Sequence, residues 1–176
     1  RLVAELRAGH REREPDADDL YIGLQLTPSG RFARPEGPLA PRITYHHPPL
    51  EEKYAVDSSI TALTDGELEA IGANYVLAAE TAERAGFDFV DVKCCHGYLL
   101  HELLGAHRRE GDYGGSFDNR TRLFRDIVSG IRSRCTKLDV GVRVSLVDVF
   151  PHSANPETRV GEPADWQRHG PYDLGF

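Results

Sequence analysis

The sequence predicts an α/β fold of parallel strands, and within that class a β/α barrel in preference to an open doubly wound sheet. Three observations carry this expectation. Three short segments alternate with period two, and amphipathic stretches with helix start and stop signals separate them. Each strand also has one apolar face and one polar or glycine face. A doubly wound sheet would make its central strands apolar on both sides, whereas a barrel turns one face to the helices and the other to its axis.

The strand segments are Tyr21–Leu26, Phe89–Lys93 and Val140–Ser145. Ile22, Leu24, Leu26, Val90, Val92, Val140, Val142 and Val144 form the face expected to meet helices. Gly23, Gln25, Asp91, Lys93, Gly141, Arg143 and Ser145 form the face expected to point to the axis.

The first connecting helix is expected from Thr64 to Ala85. Thr64 and Glu67 have capping-box spacing, Leu63 and Leu68 are placed as a hydrophobic staple, and Gly86 follows the last turn. Its apolar stripe reads Leu68, Ile71, Tyr75, Ala78, Ala82 and Ala85. A second helix is expected from about Ser116 to Cys135, burying Leu123, Phe124, Ile127, Val128 and Ile131, with its arginines outward. A short helical turn is expected after Gly97. Residues 27–60, with Pro35, Pro38, Pro41, Pro48 and Pro49, and residues 148–176 read as long loops, the places where barrels keep their chemistry. His46 and His47 fall in the first of these and read as exposed.

Composition narrows the function. The chain has 176 residues, 40% hydrophobic and 28% charged, which suits a globular domain. A net charge of -7 leaves no basic surplus for nucleic acid, and no apolar run approaches the roughly 20 residues of a membrane helix. The expected partner is a small-molecule substrate, with homo-oligomerisation left open. Of three cysteines, Cys94 and Cys95 are adjacent, which suits a reducing cytoplasm better than a disulfide framework. Cys94, Cys95 and His96 are not read as metal ligands, because neighbours on a strand face opposite ways and no CxxC partner exists.

Four pieces in register then make a specific pattern. They are Leu24-Gln25-Leu26 with Gly30-Arg31; Val90-Asp91-Val92 running on to His96-Gly97-Tyr98-Leu99-Leu100; Tyr113-Gly114-Gly115-Ser116 with Asn119-Arg120; and Gly141-Val142-Arg143-Val144-Ser145. In order and spacing these resemble the old yellow enzyme family of NADH:flavin oxidoreductases, whose fold is a TIM barrel, from its third strand to its fifth. The resemblance implies FMN as cofactor, NAD(P)H as reductant, and reduction of an activated C=C bond, with an α,β-unsaturated carbonyl as substrate. It implies that Gln25 bonds the pyrimidine side of the flavin ring and that Arg143 stabilises charge on the reduced flavin. It further implies that His96 binds the substrate oxygen and that Tyr98 protonates the α-carbon. Asn119 and Arg120 read as structural, capping the helix and bracing its loop.

The chain departs from the family pattern in three places. Lys93 stands where the family has its first substrate-binding His, Pro28 where it has the third-strand His, and Gly111 where it has an Asp. Lys93 is expected to share the substrate oxygen with His96. A whole barrel needs about 250 residues, and the chain opens at Arg1 on a helix-like stretch with Leu2, Val3 and Leu6. Residues 1–176 are therefore expected to be one fragment of a single barrel domain, without its phosphate-binding loops. The alternative reading is a non-catalytic half-barrel that needs a partner chain to fold or to bind flavin.

Overall fold

The computed structural model of the chain describes residues 1–17, 19–145 and 152–163. Its centre is a parallel sheet of three strands, β1 (Gly23–Leu26), β2 (Phe89–Cys94) and β3 (Asp139–Val144), in the order β1-β2-β3. Leu24 pairs with Val90 and Val90 with Val140, so the apolar residues share one face. Gln25 pairs with Asp91 and Lys93 with Arg143, which puts Gln25, Lys93 and Arg143 together on the other. The ladder therefore keeps the two faces assigned from period two apart, with Phe89 joining the polar one, but the helices leave Val142 and Val144 of the apolar face uncovered.

Helices α3 (Asp65–Ala85) and α5 (Phe117–Arg134) cover the apolar face. Val90, Val92 and Cys94 are buried there among Leu68, Tyr75, Leu123, Ile127 and Ile131. Each large apolar side chain buried this fully contributes about 1.5–3 kcal/mol. The α3 capping box is complete in both directions, and Gly86 ends the helix in the left-handed conformation that glycine adopts without strain.

Several boundaries and faces differ from expectation. β1 starts at Gly23, because Ile22 binds Asp88 on both sides: its N–H donates to the carboxylate and its carbonyl accepts the Asp88 N–H. Tyr21 instead stacks on Phe89 at 5.2 Å, and the Phe89 ring occupies the space a Cβ at Gly23 would need. On α3 the buried alanines are Ala79 and Ala82, while Ala85 is exposed. At 100° per residue, Ala78 and Ala85 lie about 80–100° round the helix from Leu68, off the core direction. On α5 one arginine points inward: Arg120 is buried, its guanidinium bonding the carbonyls of Leu104 and Gly115.

The proline-rich loop contains an unexpected helix, α2 (Pro48–Tyr54), which starts with prolines at its first two positions. A proline there loses no helical hydrogen bond, since those N–H groups have no partner anyway. His47, expected to be exposed, is buried as its N-cap and accepts the Leu50 N–H at 3.3 Å; His46 is exposed and pairs with Glu51 at 2.9 Å. The helical turn expected after Gly97 is α4 (Leu99–Leu104), buried along its whole length. Within the late loop, β4 (His152–Ala154) and β5 (Gly161–Pro163) form an exposed antiparallel pair. The rest of that loop beyond residue 163 lies outside the described residues.

Helix α1 (Leu2–Arg13) buries only Val3 and is tied to the sheet by Arg7, which bonds both oxygens of Asp88 at 2.6 and 2.7 Å. Among the described residues β1 and β3 pair on one side only, and Val142 and Val144 on β3 are 41% and 47% exposed.

Candidate functional site at the strand C-termini

The residues singled out from the sequence gather at the C-terminal ends of the three strands. Gln25 on β1 is exposed, and its Nε2 donates to Asp91 Oδ2 at 2.7 Å. A carboxylate only accepts, so this bond fixes the amide and leaves Gln25 Oε1 as a free acceptor. Beside it a cleft of about 440 Å³ opens along β1 and α3, past Thr27, Pro28 and Tyr75. Of the candidate residues, Gln25 alone lines it.

Lys93, near the end of β2, is 7% exposed, and its Nζ lies 3.4 Å from the centroid of the Tyr98 ring. The Tyr98 ring belongs to an aromatic cluster: Phe32 lies 5.8 Å from Tyr98 and meets Tyr54 edge-on at 4.8 Å. Arg143 is exposed beside Lys93 in the ladder, and its guanidinium has no hydrogen bond among the described residues. Lys93 and Tyr98 are thus in contact, and Gln25 and Arg143 share their face.

His96 stands apart from that contact. It is exposed, in a left-handed backbone conformation with φ 60, a geometry that costs a non-glycine residue and gathers at functional turns. The turn is held from below, because the Gly97 N–H donates to Nδ1 of the buried His101 at 2.7 Å. Burial lowers the His101 pKa, and the nearby His96 lowers it further. A neutral His101 with Nδ1 free to accept fits that bond. His101 sits at the third helical position of α4, but with Tyr98 as the N-cap no capping-box pattern announces it in the sequence. Asp91, the partner of Gln25, was legible only as a member of the polar face.

The loops are pinned beneath the site by a buried ion pair. Arg31 (1% exposed) donates from Nε to Glu102 Oε2 at 3.1 Å, and Glu102 Oε1 accepts from the Thr44 N–H at 2.6 Å and hydroxyl at 2.9 Å. Burial pushes the Glu102 carboxyl up, while Arg31 and Thr44 pull the other way. Gly30, at φ 58, lets this loop lie against the backbone of Leu99. Pro28, one of the departures from the family pattern, gives its carbonyl to the Leu99 N–H at 3.4 Å. Gly111, another, is at φ 94 beside the Asp65 carboxylate, which would clash with any side chain there. Asp65 binds Arg109 at 2.5 Å and the Asp112 N–H at 2.7 Å. Asn119 receives the helix cap, its N–H donating to the Ser116 hydroxyl, and so is structural without being the cap.

Parallel βα units with their charged and aromatic residues at the strand C-termini define the catalytic side of a β/α-barrel enzyme. A sequence model of the NADH:flavin oxidoreductase / NADH oxidase family matches residues 16–160, and the chain belongs to that family. It is 31% identical to an NADH:flavin oxidoreductase of Gibberella zeae over 155 residues, 76% of this chain and 36% of that protein. It is equally 31% identical to an NADPH dehydrogenase of Bacillus subtilis over 156 residues, 87% of this chain and 44% of that one. Among solved structures, an Old Yellow Enzyme from Pichia sp. superposes with a TM-score of 0.53 at 30% identity, covering 69% of this chain and 35% of the other. A histamine dehydrogenase from Rhizobium sp. gives 0.63 at 22% identity over 88% of this chain and 22% of its own, a likeness of fold. The chain therefore spans less than half the length of these relatives, and its architecture is a partial barrel.

Proposed function

We propose that this chain is part of an FMN-dependent oxidoreductase that takes hydride from NAD(P)H and reduces an activated C=C bond. The observation that carries the reading is the shared placement of Gln25, Lys93 and Arg143 on one sheet face at the loop end, with Tyr98 against Lys93. The donor set fits a flavin. Gln25 offers a free amide oxygen for a ring N–H, and Arg143 is a cation that no described residue neutralises. When bound, FMN would supply the two-electron chemistry, accepting hydride from the nicotinamide and passing it to the β-carbon of the alkene.

The chain's own residues divide the remaining work. Gln25 would orient the pyrimidine edge, and Arg143 would balance negative charge beside it. Lys93 and His96 would hold the substrate oxygen, where charge develops as the β-carbon takes hydride. Tyr98 would give its hydroxyl proton to the α-carbon. The aromatic wall of Phe32 and Tyr54 would keep that end of the site dry.

The test is Tyr98→Phe in the full-length protein that carries this chain. Alkene reduction is expected to slow by roughly 10²–10⁴-fold, the usual span for losing a general acid. Flavin reduction by NAD(P)H should be nearly unchanged, and stopped-flow absorbance separates the two half-reactions. Equal alkene reduction in both proteins would remove Tyr98 from the mechanism.

A further inference from the structure

We propose that His101 is the positioning residue that holds His96 and Tyr98 in place from beneath, and that it does so only while its Nδ1 carries no proton. This rests on the alkene-reduction reading above and adds to it an acid limit set by the turn before α4.

The inference starts from a turn that cannot hold itself. His96 and Gly97 follow one another in the left-handed region, at φ 60 and φ 68. A non-glycine residue stays there only where its surroundings fix it. The backbone bonds around the turn are long: the Tyr98 N–H reaches the Cys95 carbonyl at 3.3 Å, and the Leu99 N–H reaches that of Pro28 at 3.4 Å. The bond from the Gly97 N–H to His101 Nδ1 is 2.7 Å. His101 is itself 1% exposed, on a helix buried along its whole length. Gly97 lies between the two residues assigned to the substrate, so this one bond fixes both.

An imidazole nitrogen accepts only when it carries no hydrogen. The bond therefore places the His101 proton on Nε2, and a second proton would land on Nδ1 and set one N–H against another. Around α4, the strand β2 and its following turn carry Asp91, Lys93, Cys94, Cys95 and His96. Asp91 is bonded to Gln25 and Lys93 lies on the Tyr98 ring. The loop below presents Arg31, and the buried cation of α5 is Arg120, which bonds the carbonyls of Leu104 and Gly115. Glu102, the carboxylate of α4 itself, is committed to Arg31 and Thr44. Burial first, and His96 after it, hold the His101 pKa below the ordinary 6.5. The sign follows: the neutral acceptor is intact at neutral pH and is lost as pH falls through that lowered value. The turn then loses its hold, and His96 and Tyr98 lose their shared position.

The experiment uses the full-length flavoprotein, reduced by NAD(P)H and mixed with cyclohex-2-enone in a stopped-flow instrument from about pH 8 down to about pH 5. Alkene reduction should fall on the acid side with an apparent pKa below 6.5. His101→Asn places an amide oxygen near the Nδ1 position and does not titrate in this range. It should keep a near wild-type rate at neutral pH and lose the acid fall. His101→Leu removes the acceptor and should slow alkene reduction by about 10²-fold at every pH, the scale of a small misplacement, with flavin reduction nearly unchanged. A second readout needs no turnover: the Gly97 amide proton resonance should titrate with the same apparent pKa in the wild type and stay fixed in His101→Asn. An acid fall that survives in His101→Asn would assign it to another group, His96 first, and overturn the proposal. So would a Gly97 resonance that does not titrate, or wild-type reduction by a folded His101→Leu protein. If the enone is not reduced at all, the reductase reading fails, and the Gly97 titration still decides the role of His101.

Discussion

The two ends of β2 are built to opposite rules. At its N-terminal end every charge is answered. Asp88, just before the strand, takes the Ile22 N–H and Arg7, and Asp139 on β3 takes the Tyr21 hydroxyl. Phe89 fills the space over Gly23 and stacks on Tyr21. At the C-terminal end the ammonium of Lys93 has a ring face for company, Arg143 has no described partner, and His96 sits in a left-handed turn. Six residues of one strand thus separate a region spent on stability from one that holds charge in reserve. The difference matches the division of labour in β/α barrels, where chemistry gathers at the strand C-termini.

The buried brace under the site is the exception at that end, and it offers the largest test. Removing Glu102 would strand the Arg31 guanidinium in an interior where it is 1% exposed. Breaking a buried pair from one side costs about 3–5 kcal/mol, and Glu102→Ala is expected to lose that much in denaturant unfolding. Replacing both partners, Arg31→Met with Glu102→Leu, should recover much of the loss, because no buried charge is then left alone. If the single and double variants were equally unstable, the pair would be holding the loops by shape, and the contrast between the ends would weaken.

Lys93→Met is the next test, and here the expected sign reverses. Methionine keeps the length of the chain and can still touch the Tyr98 ring through sulfur. The protein loses a nearly buried charge and should gain about 0.5–2 kcal/mol, as replacements at strained functional positions commonly do. Thermal unfolding measures it. A clear loss of stability would mean that Lys93 is a structural residue and that its charge is not held for a ligand.

Much of this contrast could be read from the sequence, and the reasons differ by element. Period two assigned both faces of the sheet because each strand alternates cleanly, and the Thr64 cap with Gly86 set α3 at both ends. The α2 helix was hidden because its prolines read as breakers, although at the first two helical positions they are tolerated. His47 was misplaced because the N–H it caps, that of Leu50, belongs to the helix that the prolines hid. Arg120 braces the loop as expected, through the carbonyls of Gly115 and Leu104, but does so from the buried side of α5 where its arginines were expected outward. The site was legible in the same partial way. Its residue types were legible through the family motifs, but the pairing of Lys93 with Tyr98 and of Gln25 with Asp91 needed the folded register.

The smallest expected effect lies at the other end of β2. The backbone N–H of Ile22 and the guanidinium of Arg7 hold the Asp88 carboxyl below the usual aspartate value of 3.8, although partial burial opposes them. A carboxylate depressed in the folded state contributes its stability above the unfolded value, and that contribution fades as pH falls through the lower folded value. Arg7 and Asp88 are 30% and 25% exposed, so solvent screens the pair. Asp88→Asn should therefore cost about 0.2–1 kcal/mol at neutral pH, the range for surface pairs. Denaturant unfolding of the two proteins should give curves separated by that amount at pH 7. The gap should begin to narrow below about pH 4, because both proteins then lack the charge at this position. A gap that stays constant down to pH 2 would mean that Asp88 acts through its neutral hydrogen bonds to Ile22. The N-terminal end of β2 would then be held by backbone geometry, with the charge of Arg7 contributing nothing.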